Sequence, residues 1–210
     1  MKKKWKWVAG IAALAVLAGL WTWRYLAVQA WYAPLMMEMK DEYYGIGEFV
    51  EIGHSSSYKM KDNGGFRFRV NSREILEYSA WMERSGGADP YAQTDLESPD
   101  KLMLVSVTLQ NVDNERGRFS LHDLHMGGTG VGASSVQEPV LLADNPELEG
   151  TQLQLELGEQ ITVTVPYSLN REHFSDPTWS CLEEFGFRLG TQEANQGVNT
   201  RKWVLLNGKV

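Results

Sequence analysis

Three chemistry-bearing side chains fall within four residues of one another: His122, Asp123 and His125. Imidazole nitrogens ligate zinc well, and a neighbouring carboxylate adds an oxygen ligand or orients a ring. A spacing of three puts two histidines on one face of a helix but on opposite faces of a strand. Leu121 and Leu124 meet the same conflict, which suggests a turn or bulge. A metal site at His122, Asp123 and His125 is one expectation, and ordinary surface histidines are the other.

The remaining reactive types are isolated. Cys181 is the single cysteine, so no intramolecular disulfide and no cysteine-cluster metal site can form. Its surroundings are acidic rather than the electropositive setting of a reactive thiol, and a buried, inert thiol is the preferred reading. Gly127-Gly-Thr-Gly-Val-Gly132 has the spacing of a phosphate loop, but no amphipathic helix opens after it, so a loop between strands is expected. No Gly-x-Ser-x-Gly elbow and no Walker loop is present, and no cofactor is implied. Acids recur at Asp89, Asp95, Glu97 and Asp100 and at Asp144, Glu147 and Glu149, without the Asp-x-Asp-x-Asp-Gly spacing of a calcium loop. A solvated acidic surface explains them. Trp81 and Tyr91 border a long stretch, 79–100, where an exposed aromatic would anchor a partner; the competing reading makes Trp81 the core residue at the end of a strand over 73–82.

Positioning these residues is the work of a mostly β chain. Phe66, Phe68 and Val70 alternate with Arg67, Arg69 and Asn71; Met103, Val105, Val107 and Leu109 and then Ile161, Val163, Val165 and Tyr167 repeat the period of two. Pro166 marks an edge strand or a strand end. Further strands are expected at 48–52, 73–82, 118–125, 153–157, 184–189 and 202–206, with turns at Asp62-Asn-Gly-Gly65, 111–117, 144–147, 157–159 and 207–208. One helix is expected over 171–184, capped by Asp176 with Pro177 in its first turn. The reading is an all-β, antiparallel sandwich preceded by one N-terminal helix.

That N-terminal segment differs in charge from the rest. The chain has 210 residues and a net charge of −7, yet Lys2, Lys3, Lys4, Lys6 and Arg24 make the first 24 residues +5, leaving −12 on the remainder. Such an acidic remainder excludes a general nucleic-acid binder. Trp7 to Trp23 is uncharged and spans ~25 Å as a helix; Arg24 can snorkel, and Tyr25 to Trp31 extend the run to membrane thickness. Aromatics at both ends match interfacial belts, and the lysines place the amino terminus in the cytoplasm. The expected organisation is a cytoplasmic tail at 1–6, a transmembrane signal anchor at 7–31, a stalk at 32–47 and an extracellular domain at 48–210. Cleavage after Val28-Gln29-Ala30 would instead secrete the domain, and a buried core helix is the third reading.

The run Phe66-Arg-Phe-Arg-Val, then Leu102 to Asn111, then Phe119-Ser-Leu-His-Asp-Leu, then Leu155-Glu-Leu-Gly-Glu leading to Pro166 resembles bacterial extracellular immunoglobulin-like domains. These sit behind a signal or membrane anchor, mostly in Gram-positive organisms. The resemblance covers about 66–206 and implies an immunoglobulin-like β-sandwich outside the membrane, with no catalytic residues to carry over. The expected function is a non-catalytic interaction module at the cell surface, whose partner is an extracellular or membrane protein or a cell-wall component. One alternative is a subunit of a membrane complex, joined through its anchor, where Ala9, Ala13 and Leu17 share a helix face. The other is a metal-dependent extracellular hydrolase using His122, Asp123 and His125.

Overall fold

The computed structural model describes residues 14–28, 38–53, 63–92, 94, 96–128, 131–134, 136–195 and 198–207. The chain divides into two compact units, Met1–Glu38 and Met39–Val210. In the first, residues 14–28 form helix α1, roughly 22 Å long. Its side chains are exposed all round, Leu14 at 68% and Trp21 at 70% among them. Trp21 stacks on Tyr25 one turn later, and the Thr22 hydroxyl donates to the Ala18 carbonyl. Among the described residues no helix is long and apolar enough to cross a membrane. The expected tail at 1–6, the ends of the expected span at 7–13 and 29–31, with Ala9 and Ala13, and Gln29-Ala30 of the cleavage site lie outside the described residues.

The second unit is built on antiparallel strands. In chain order it comprises β1 (Glu38–Tyr44), β2 (Phe49–Glu51), β3 (Phe66–Glu77), α2 (Tyr78–Arg84), β4 (Lys101–Asn111), β5 (Arg118–Ser120), β6 (His125–Gly128), β7 (Val131–Ser134), α3 (Glu138–Asp144), β8 (Gln152–Gln154), β9 (Gln160–Leu169), α4 (Asp176–Trp179), β10 (Arg188–Asn195) and β11 (Val198–Leu205). One sheet has the order β1-β11-β10-β6-β7, a second β2-β3-β4-β9, and β5 pairs with β8 alone. The two larger sheets contribute to one apolar core: Phe66, Phe68, Met103, Val105, Val165 and Tyr167 from one, Met126, Leu189 and Val204 from the other.

A β-bulge in β3 explains why the sequence reads as two strands there. The register with β4 shifts between Val70 and Ser72. Before it Phe66, Phe68 and Val70 face the core; after it the inward parity switches, and Ile75 packs on the same core while Leu76 packs on the opposite side. The strand expected over 73–82 is therefore the second half of β3, ending at Glu77, followed by α2. The long stretch after it is built structure. Tyr78, Trp81 and Tyr91 form a second apolar cluster with Leu102, Leu104 and Val140 on the outer face of the four-stranded sheet. β4 is thus buried on both faces, which is why Leu102 to Val105 are all apolar.

Other differences have equally local causes. Residues 38–44, expected in the stalk, form β1 at the edge of the five-stranded sheet, where Asp41 receives both Nε and Nη2 of Arg201 at 2.7 and 2.8 Å. Its alternating charges hide a strand whose partners are polar. The stretch 118–125 breaks into β5, a 3₁₀ turn at Leu121–Asp123 and the start of β6. The helix expected over 171–184 is three short turns, Arg171–His173, α4 and Leu182–Glu184, and α4 is capped by Ser175, whose Oγ accepts from the Thr178 N–H, with Asp176 one place further in. Pro166 does lie on an edge strand, β9.

The asparagine that ends β4 acts as a staple. Asn111 is fully buried; its Nδ2 donates to the carbonyls of Asn114 and Leu155, both at 2.9 Å, and its Oδ1 accepts from the Asn114 N–H at 2.9 Å. Asn114 in turn donates to the Gly64 carbonyl and accepts from the N–H groups of Arg116 and Gly117. Gly65, at φ +86°, passes so close to this loop that a Cβ would lie 2.7 Å from the Asn114 nitrogen. The Asn and Leu-Gly-Glu features that carry the sequence resemblance thus tie three loops together at one end of the domain.

Candidate functional site

The outer face of the four-stranded sheet carries a cleft of about 300 Å³. The β3 bulge turns Ser72 and Glu74 outward; β4 adds Ser106, β9 adds Thr164, and Arg84 and Asp144 come from the last residues of α2 and α3. Glu74 and Arg84 pair at 2.8 Å across one wall, with both side chains about half exposed, so the pair contributes ~0–1 kcal/mol. Ser106 of the lining accepts from Asn71, which also donates to Thr108 beyond the cleft, and Thr108 shares a 2.9 Å bond with Thr162.

Asp144 is positioned by its neighbour. Asn145 is buried and pairs with β9 as a strand would, donating to the Thr164 carbonyl and accepting from the Thr164 N–H, both at 2.9 Å. This covers the β9 edge and fixes the end of α3 over the sheet. Asp144 Oδ1 then accepts from the Trp81 indole at 3.0 Å, while Oδ2 is buried without a partner among the described residues. Burial pushes its carboxyl above the usual carboxylate range; the Trp81 hydrogen bond and Arg84 oppose this, and Glu74 reinforces it. No lining residue is His, Lys or Cys. The cleft offers hydrogen-bond donors, acceptors and fixed charges, the equipment of recognition. A second, shallower depression of about 540 Å³ holds Glu97, Asp100, Glu172 and Asp176 around Arg171. Two of its acids are already engaged: Arg171 donates its N–H to Asp100 and its Nη2 to Asp176.

Of the candidate site residues named in the sequence, Asp144 lines the cleft and Glu97 and Asp100 the second depression; the others fall elsewhere. Trp81 is fully buried and Tyr91 is 4% exposed, so neither is a surface anchor. Trp81 stacks on Tyr78 with centroids 5.6 Å apart, and the Tyr91 hydroxyl donates to Gln137 Oε1 at 2.9 Å. Burial, with Asp89 nearby, pushes the Tyr91 phenol up to about 12. Asp89 accepts from the Tyr78 hydroxyl and the Tyr91 N–H, a structural use of an acid expected on the surface; Asp95 lies outside the described residues. His122 and Asp123 sit on the 3₁₀ turn and His125 opens β6; both histidines are exposed, and Asp123 accepts from Asn63 Nδ2 at 2.9 Å. Among the described residues no three His, Cys, Asp or Glu side chains converge to hold a metal. Cys181 is exposed, contrary to the buried reading, because α4 ends just before it and its Sγ reaches the Pro177 carbonyl. Gly127 and Gly128 lie in β6, and Val131 and Gly132 in β7, so the glycine run joins two strands, with Thr129 and Gly130 outside the described residues.

Arg84, Glu74 and Asn145 were not singled out in sequence. The one signal for the cleft was the change of phase at Asn71, where the apolar parity of 66, 68 and 70 passes to 75.

No curated protein matches the chain. Solved structures similar to it include the two that follow. The yjhA protein from Bacillus subtilis shares 10% identity at a TM-score of 0.44, covering 77% of this chain and 99% of that one. A functionally unknown protein from Listeria monocytogenes EGD-e shares 10% at a TM-score of 0.40, covering 79% and 91%. The family match begins inside β1 and runs into β10: over residues 41–192 the chain matches the domain of unknown function DUF5028, and it belongs to that family.

Proposed function

We propose that the chain is a membrane-tethered, non-catalytic binding protein that displays its β-domain outside the cytoplasm and takes a polar group of its partner into the Asp144 cleft. The observation that carries the binding role is the cleft itself: a polar lining drawn from β3, β4, β9, α2 and α3, each held by packing or by hydrogen bonds. Sites built on rigid elements select partners by fit without a reacting group. The tether rests on the lysine-rich start and on α1, whose apolar side chains are exposed around the whole helix. A helix apolar all round calls for a core or a bilayer. The immunoglobulin-like comparison is supported at the level of layers, two antiparallel sheets on one core. The strand order departs from it, since β2, β3 and β4 lie side by side in chain order, whereas the constant-type immunoglobulin sheets, ABED and CFG, place no three successive strands together.

The test has two arms in intact cells, using the full chain tagged at its carboxyl terminus. Added protease should remove the tag from the membrane fraction without lysis; a protected tag, or a tag in the culture medium, would refute the tethered orientation. Crosslinking should then capture a partner that Ser106→Trp, which fills the cleft, loses. Undiminished capture by Ser106→Trp would refute the cleft. Loss on exchanging residues 7–31 for an unrelated apolar span would favour the membrane-complex alternative.

A further inference from the structure

The outer face of the five-stranded sheet has a feature independent of the cleft. In β10, Gly190 is opposite His125 of β6 on one side and Trp203 of β11 on the other, while Arg188 is opposite Gly127 and Leu205. Directly opposed residues share a face, and residues two apart along a strand share it too. Arg188, Gly190, His125, Gly127 and Trp203 therefore occupy one side of the sheet.

The two glycines make room for the indole. A Cβ at Gly190 would lie 2.5 Å from Trp203 Cε3, and one at Gly127 would meet Cη2 of the same ring at 3.8 Å. The ring thus lies across the neighbouring strands, anchored at its far end by donation from Nε1 to Asp41 Oδ1 at 3.2 Å. The Arg188 guanidinium sits over this ring with Cζ 4.5 Å from the centroid. Its Nε is buried without a hydrogen-bond partner, and Arg188 makes no ion pair among the described residues. Arg201 on the same face is different: Asp41 takes two of its nitrogens. In a chain of net charge −7, this guanidinium rests against tryptophan with no carboxylate at ion-pair distance among the described residues, and the one carboxylate near enough to feel its charge, Asp41, is taken by Arg201. Contact with the ring restricts the side chain, and a guanidinium already restricted binds a two-oxygen anion with less loss of side-chain freedom. His125, exposed across Gly190, adds a ring N–H donor within the same patch.

We propose that Arg188, stacked on Trp203, is an oxyanion-binding site that takes a phosphate or carboxylate group. The fork supplies the paired donors, Trp203 and the glycines supply the platform, and the site lies on the sheet that does not carry the cleft.

The test is a titration of the ¹⁵N-labelled full chain in non-ionic detergent micelles with sodium phosphate and, separately, sodium acetate. Chloride keeps the ionic strength constant, and the Trp203 indole and the Gly127 and Gly190 amides are followed. Phosphate should shift these resonances saturably. Arg188→Lys, which keeps the charge but not the planar fork, should weaken the response at least tenfold, and Trp203→Leu should weaken it by roughly two- to fivefold. Arg201→Lys should leave it unchanged. Saturation by phosphate alone assigns a tetrahedral anion, and saturation by both assigns oxyanions generally. A linear response to both anions, or one of equal size in Arg188→Lys, would overturn the proposal.

Discussion

Replacing Asn111 by alanine should destabilise the β-domain far more than a typical polar substitution. The side chain makes three hydrogen bonds at 2.9 Å inside a fully buried environment. Each such bond contributes ~1 kcal/mol net, and a buried N–H deprived of its acceptor adds ~1–3 kcal/mol. Asn114 loses Asn111 Oδ1 in this way, and its own contacts to Gly64, Arg116 and Gly117 lose their anchor. The expected loss is about 4–6 kcal/mol, a large share of the roughly 5–15 kcal/mol that a domain possesses. Urea unfolding of the full chain in non-ionic detergent, followed by tryptophan fluorescence, should show the midpoint falling with the slope unchanged. Asn111→Asp separates donor from acceptor roles. It keeps an oxygen for the Asn114 N–H but sets a second one against the carbonyls of Asn114 and Leu155. It should lose at least as much at neutral pH and less in acid, where its protonated oxygen can donate to one carbonyl. A loss below ~1 kcal/mol for Asn111→Ala would show that the loops hold without the staple and would refute the argument.

Gly65→Ala should cost about 2–4 kcal/mol in the same assay, because φ is +86° and the added carbon meets backbone of the 113–114 loop that cannot swing aside. Trp81→Phe keeps most of the packing but removes the donor to Asp144, and should cost ~2 kcal/mol; an unchanged midpoint would mean the indole bond contributes nothing. The Asp144 carboxyl is raised in the folded chain, first by burial. Whatever stability accompanies its protonated form is complete below its ordinary value of 3.8 and is lost as the pH rises through the raised folded value. The stability of Asp144→Asn relative to the natural chain should therefore improve from acid to neutral pH, and a flat difference between the two would contradict the assigned shift.

Sequence pattern was informative where one face of a strand is buried and the other is wet. Phe66-Phe68-Val70 and Ile161-Val163-Val165 alternate because their outer neighbours meet polar surface; β9 is legible to within a residue or two, whereas for β3 only the half before the bulge is. It failed where tertiary partners replace that rule. β1 reads as a charged stalk because its Asp41 pairs with Arg201, a residue 160 positions away. α3 went unread because Val140 and Leu141 serve two different clusters, so no single apolar stripe emerges over its 7 residues. The cleft was least legible of all. Its members are common polar residues with no spacing in common, and only the bulge, the two helix ends and the Asn145 pairing bring them together.

The double burial of β4 bears on how the chain survives before it is folded. Leu102 to Leu109 contains no charge and no proline, and its high β-propensity makes it an aggregation-prone window when bare. Pro99, Asp100 and Lys101 on one side and the Gln110 to Asp113 stretch on the other are its gatekeepers. Its covers are split across synthesis order: β3 and α2 precede it, whereas α3, β9, β10 and β11 follow by tens of residues. A nascent chain therefore carries this segment only partly covered until its last strands arrive, so a chain stopped before α3 should form fibrils that the complete chain does not.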